Sequence, residues 1–267
     1  MIWKRVYRFV VAAAFVSMVV IFTYGDAGVA ADNQPGVCEE KIEAVQTSDL
    51  PIGEMVSQML GLEERCADTG LYEYRLSKLY ISAREYAKAA ASIIQGLEVE
   101  STYEKELSLA RGDIHLHQHN YQEAASEYQS VVEHFPDWYA GHDKLGFALF
   151  AQGQNEKAIA SLSRSVKLEQ TPGSYRTLVL AYYLTGQFEA STEALDRAYS
   201  LNETILADRD PMVAAIRSYA ELGKYQVSHG LMGTLLQKNP EIRGDPEFIK
   251  AGLFLREKMI AAGVVVE

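Results

Sequence analysis

The sequence predicts an all-α protein: an α-solenoid of about five helix–turn–helix pairs, with an N-terminal helical extension and a C-terminal capping helix. Three observations predict it. A small residue recurs at Ala89, Ala124, Ala158, Ser191 and Ser228, spaced by 35, 34, 33 and 37 residues. A sustained period of this kind marks supersecondary units that stack to bury a continuous core. Each small residue closes a turn segment, as in Ala83-Arg84-Glu85-Tyr86-Ala87-Lys88-Ala89, Gln118-His119-Asn120-Tyr121-Gln122-Glu123-Ala124 and Gln152-Gly153-Gln154-Asn155-Glu156-Lys157-Ala158. Gly153, Gly186 and Gly223 stand where a first helix must end, and glycine permits the left-handed conformation of such an end.

The elements follow in order along the chain. Residues 1–31 read as an export signal: Lys4, Arg5 and Arg8 form a positive flank, Phe9 to Tyr24 an apolar run, and Val29-Ala30-Ala31 a small-residue cleavage site before Asp32, with Ala30 as an alternative. The alternative is an uncleaved membrane anchor. The apolar run falls short of the roughly 20 residues of a comfortable span, which favours cleavage. In either case the chain beyond it is exported to the periplasm or an equivalent compartment, tethered to the inner membrane if the signal is retained. No cysteine follows within lipid-attachment distance of the apolar run, so a lipid anchor is not expected.

Residues 32–69 read as an N-terminal extension: a flexible leader from Asn33 to Gly36, then one or two helices. Cys38 and Cys66 are the only two cysteines of the chain. In an exported protein an even pair reads as a structural disulfide, and the spacing is not that of a redox-active Cys-x-x-Cys. Closing the loop contributes on the order of 3 kcal/mol by chain entropy.

Residues 70–242 hold the five pairs. Helices of about a dozen residues are marginal alone, and small residues such as Gly112, Gly146, Ala89, Ala124 and Ala158 let backbones approach closely. Tyr86, Tyr121 and Phe188 fill the gaps between pairs, and residues 202–209 lengthen the junction before the last pair. In residues 243–267, Asp245-Pro246-Glu247 opens a capping helix with an N-cap and a first-turn proline. Phe248, Ala251, Leu255 and Met259 recur at helical spacing, with Phe254 widening the stripe. Such a cap needs a polar outer face.

The five segments resemble the tetratricopeptide repeat family. The resemblance extends to Leu145-Gly146 and its counterparts Leu76-Ser77 and Arg111-Gly112, to Tyr80, Tyr182 and Tyr219, to Ile93, Tyr128, Leu162, Leu195 and Met232, and to the helix-closing Pro136 and Pro240. It covers about residues 70 to 242. It implies a right-handed solenoid whose first helices line a concave groove that holds a protein or peptide. The groove positions it implies are Tyr74, Arg75 and Lys78 in the first pair and Asp113 and His117 in the second. Lys144 and Phe147 follow in the third, Arg176 and Tyr183 in the fourth, and Arg217 in the last. Positive and aromatic side chains outnumber acids in this set, which implies a partner with some acidic character. The positions contain no asparagine, so the family's clamp for a terminal carboxylate is incomplete.

Composition narrows the function. Setting aside residues 1–31, with three basic residues and Asp26, leaves 22 Lys and Arg against 35 Asp and Glu, a net charge of −13. Nucleic acid is not expected as a partner, nor is a lipid surface beyond the signal segment. No nucleotide-binding loop, hydrolase elbow or zinc-protease motif is present. Adjacent carboxylates such as Glu63-Glu64 point apart on a helix. No catalytic residue, cofactor or metal is therefore expected. His115, His117 and His119 invite a metal or enzymatic reading, but His117 would point away from the other two, and His119 falls in a turn. A third reading is self-association through the open ends or the apolar tail Val264-Val265-Val266.

Overall fold

The computed structural model describes residues 35–67, 70–99 and 102–264. The expected signal segment, and Val265 and Val266 of the tail, lie outside the described residues. Among the described residues there are fourteen α-helices, two 3-10 turns and no strand. None of these helices is long and apolar enough to cross a membrane. The chain forms two compact units, Met1–Ala110 and Arg111–Glu267, and the division falls inside one helix.

In the first unit, α1 (Pro35–Gln46), α2 (Ile52–Leu60) and α3 (Glu63–Cys66) precede the first pair, α4 (Leu71–Ser82) and α5 (Tyr86–Glu98). The helix α1 includes part of the stretch expected to be a flexible leader. Cys38 and Cys66 are bonded, with Cα atoms 5.7 Å apart, so α1 is tied to α3. Ile42, Met59, Leu76, Ile93 and Leu107 form the buried interior. Gly96 sits where a Cβ would come within 2.8 Å of both Glu73 Cβ and Leu107. Only glycine allows α5 to approach so closely.

The helix α6 (Glu104–His117) crosses from one unit to the next. The second unit continues with α7 (Tyr121–His134), α8 (Tyr139–Ala151), α9 (Asn155–Leu168), α10 (Pro172–Leu184) and α11 (Phe188–Leu201). A 3-10 turn, Glu203–Ala207, buries Ile205 and leads into α12 (Arg209–Glu221) and α13 (Tyr225–Lys238). The last helix is α14 (Pro246–Ala261). The lengthened junction at 202–209 is thus a short helical turn, capped by the Asn202 side chain on the Thr204 amide.

The recurring small residues explain the packing. Ala89, Ala124, Ala158, Ser191 and Ser228 have no exposed surface. In the last two pairs the hydroxyl is buried without penalty, because Ser191 donates to the Val179 carbonyl and Ser228 to the Ile216 carbonyl. Gly146 faces Leu162, where a Cβ would lie 2.5 Å from Cγ, and Gly112 lies under the Tyr128 ring.

The turns share one geometry. Gly153, Gly186 and Gly223 adopt φ of 76°, 72° and 70°, and the next amide in each case reaches back to a first-helix carbonyl. Arg84 and His119 adopt the same left-handed conformation, at 60° and 61°, without being glycine. The same backward bond closes these turns, from Glu85 to Tyr80 and from Asn120 to His115. Stacking thus imposes the turn even where the local residue disfavours it.

Asp245 caps α14 through the amides of Glu247 and Phe248, with Pro246 at the first position. Phe248, Ala251 and Leu255 are buried, while Met259 and Phe254 are half-buried. The outer face is not the polar surface expected of a cap, because Ile249, Leu253 and Ile260 are exposed on it.

Candidate functional site

The second unit carries a groove lined by successive first helices. Leu116 comes from α6, Phe147 and Phe150 from α8, Arg176 and Leu180 from α10, and Asp210 from α12, around a cavity of about 590 Å³. A second cavity, about 280 Å³, shares Phe150, Leu180 and Asp210 and extends to Tyr183, Val213 and Glu247. The two are continuous, with an apolar floor and a charged rim. Two apolar side chains stand open to solvent here: Phe147 is 42% and Leu184 58% exposed.

The expected groove residues divide by what they touch. Phe147, Lys144 and Arg176 line the larger cavity and Tyr183 the smaller. Arg217 stands beside Tyr183, with Nη1 3.5 Å from the tyrosine hydroxyl and Nη2 3.3 Å from Glu247. Asp113 is not on the groove surface: it is 3% exposed and accepts hydrogen bonds from Tyr128, at 2.7 Å, and from Lys144, at 2.8 Å. Burial and the neighbouring carboxylate push the Tyr128 phenol up, so it stays a donor. Asp113 therefore ties three successive helices together. His117 is exposed and lines neither cavity.

In the first unit Tyr74 stacks on Tyr103, with centroids 6.2 Å apart, and the Arg75 guanidinium lies over the Tyr74 ring. Lys78 is half-buried on the same helix.

The charge of the groove departs from the sequence expectation. Every expected cation of the second unit is met by an acid: Lys144 by Asp113, Arg176 by Asp208 at 3.3 Å, and Arg217 by Glu247. Two acids outside the expected set also line the larger cavity, Asp143 and Asp210. Asp210 pairs with Arg209, which is shared with Asp245. Asp143 accepts a short hydrogen bond from the Ser174 hydroxyl and joins no ion pair among the described residues. Burial pushes its carboxyl above the usual range, against the Ser174 bond and the nearby Lys144 charge. The expected surplus of positive charge is therefore overturned.

Beyond Phe147 and Tyr183, the residues Leu116, Phe150 and Leu184 of the apolar floor are not among those expected from the sequence, although a signal for them exists. Leu116, Phe150 and Leu184 are spaced by 34 residues, so the repeat period alone places them in line.

The three histidines do not assemble. His115 is half-buried in α6, His117 is exposed, and His119 lies in the turn with Nδ1 2.9 Å from the Tyr121 hydroxyl. Among the described residues no three His, Cys, Asp or Glu side chains are grouped to hold a metal.

The paired helices and the left-handed turns define a tandem repeat of helix pairs. The tetratricopeptide repeat profile matches residues 74–137. That segment carries the repeat, and the helix pairs beyond it share the fold of tetratricopeptide repeat structures. Among solved structures it is similar to PilF of Pseudomonas aeruginosa, at 12% identity over 81% of this chain and 96% of that one, with a TM-score of 0.66. It is also similar to PilW, described as a widely conserved type IV pilus biogenesis factor, at 18% identity over 81% and 99%, with a TM-score of 0.63. YrrB, described as having an unusual peptide-binding site, aligns at 14% identity over 73% and 97%, with a TM-score of 0.56. These likenesses establish the fold. A comparison with curated protein sequences gives no match.

Proposed function

We propose that this chain is an exported scaffold that holds a segment of another protein in the groove of its second unit. One observation carries the reading: adjoining cavities whose apolar floor, with Phe147 and Leu184 open to water, runs across the first helices of four successive pairs. Exposed aromatic and aliphatic side chains in a concave, polar-rimmed site are the usual anchors of a polypeptide partner. The reading assigns the groove binding and no reaction. Export is supported by the charged and apolar N-terminal pattern and by the bonded cysteine pair. Pilus biogenesis is what PilW, of the same fold, is described as serving. Assembly or secretion at the cell envelope is accordingly the setting proposed here.

A photo-crosslinking residue at position 147, compared with one at the exposed Glu193 on α11, tests the groove. A discrete adduct from position 147 and none from position 193 is expected. Equal labelling from both, or none from position 147, would overturn the assignment. The mature N-terminus tests export: a chain beginning at Asp32 is expected, and an intact Met1 in a cytoplasmic fraction would contradict it.

A further inference from the structure

Resting on the groove reading above, we infer that the bound segment is cationic and apolar: a peptide whose Lys or Arg side chains flank the apolar residues that enter the floor. Charge complementarity selects this occupant. Lys144, Arg176 and Arg217 are each neutralised by an acid of the protein itself, namely Asp113, Asp208 and Glu247. An acidic partner reaching these cations would have to displace those carboxylates, and it would meet Asp143 and Asp210 as like charges.

A cation faces the opposite situation. Asp143 stands in the wall of the larger cavity with a hydroxyl as its hydrogen-bond partner, and its neighbour Lys144 is held 2.8 Å from Asp113. An ammonium or guanidinium arriving at Asp143 gains an ion pair without breaking one. Asp210, which lines both cavities, shares its arginine with Asp245 and offers a second point of attachment. The rest of the protein works in the same direction, since a net charge of −11 steers a positive segment towards it. Burial disfavours an isolated Asp143 carboxylate, a penalty that a docked cation offsets.

The test uses the purified full chain and three labelled peptides with the same leucine and phenylalanine positions. Their intervening residues are lysine, glutamine or glutamate. The lysine peptide is expected to bind best and to weaken with salt. Asp143→Asn is expected to weaken it about tenfold, as loss of a close charge pair does, and to leave the glutamine peptide unchanged. Asp210→Asn, at an exposed position, provides a second variant that does not perturb the interior. Equal or tighter binding of the glutamate peptide, or a lysine peptide indifferent to both substitutions, would overturn the inference. Equal binding of all three peptides, lost in Phe147→Asp, would overturn the charge preference and leave the groove standing. No binding of any peptide, with a crosslinked partner at position 147, would likewise overturn only the charge preference. No binding and no crosslink would overturn both.

Discussion

At Ala158 the side chain has no exposed surface, and one turn further along the same helix Leu162 already fills the space over Gly146. Ala158→Leu is therefore expected to overpack the third pair and cost about 1–3 kcal/mol, read as a lower melting temperature. An unchanged value would contradict the register. At His119 the strain is in the backbone, where a left-handed conformation costs a non-glycine residue about 1–2 kcal/mol. His119→Gly is expected to raise the melting temperature, because it relieves strain that Gly153, Gly186 and Gly223 avoid. Asp143 gives a pH signature. Its folded carboxyl holds a proton to higher pH than in the unfolded chain. Its contribution is thus fully present in acid and is lost as pH rises through the folded value. Relative to wild type, Asp143→Asn should therefore become progressively more stable between acid and neutral pH. A difference independent of pH would show that the carboxyl is not perturbed.

At the scale of elements, the period of small residues made the helix pairs legible, because only small side chains fit where two helices cross. The start of α14 was legible for an equally local reason: Asp245 and Pro246 dictate a capped first turn. Asp245 is held below the usual carboxylate range, first by its bond from the Phe248 amide and further by Arg209. Its capping contribution is present above that range and is lost as pH falls through the folded value. Asp245→Ala should then destabilise α14 at neutral pH and progressively less in acid, as hydrogen exchange in residues 246–261 would reveal. The exposed Ile249, Leu253 and Ile260 were not legible, since helical spacing alone does not separate a buried stripe from a second, open one. In the first unit, reducing the Cys38–Cys66 bond should lower stability on the order of 3 kcal/mol. Equal protection of α1 before and after reduction would contradict that role.

For the whole molecule, the family resemblance placed Phe147, Lys144, Arg176 and Tyr183 on the groove because these positions follow from the repeat alone. It misjudged the charge for a physical reason. A counter-ion is supplied by the first helix of the preceding pair, as Asp113 is to Lys144 thirty-one residues away, or by a junction outside the repeat, as Asp208 is to Arg176. Inventories of one helix face cannot display such pairs. The apolar floor survives this correction and carries the account. The most direct test is recovery of the crosslinked partner by wild type and by a Phe147→Asp plus Leu184→Asp variant of matched melting temperature, both positions being exposed. Wild type is expected to retain the partner and the folded variant to lose it. Equal retention by both would place binding outside this groove and contradict the central claim.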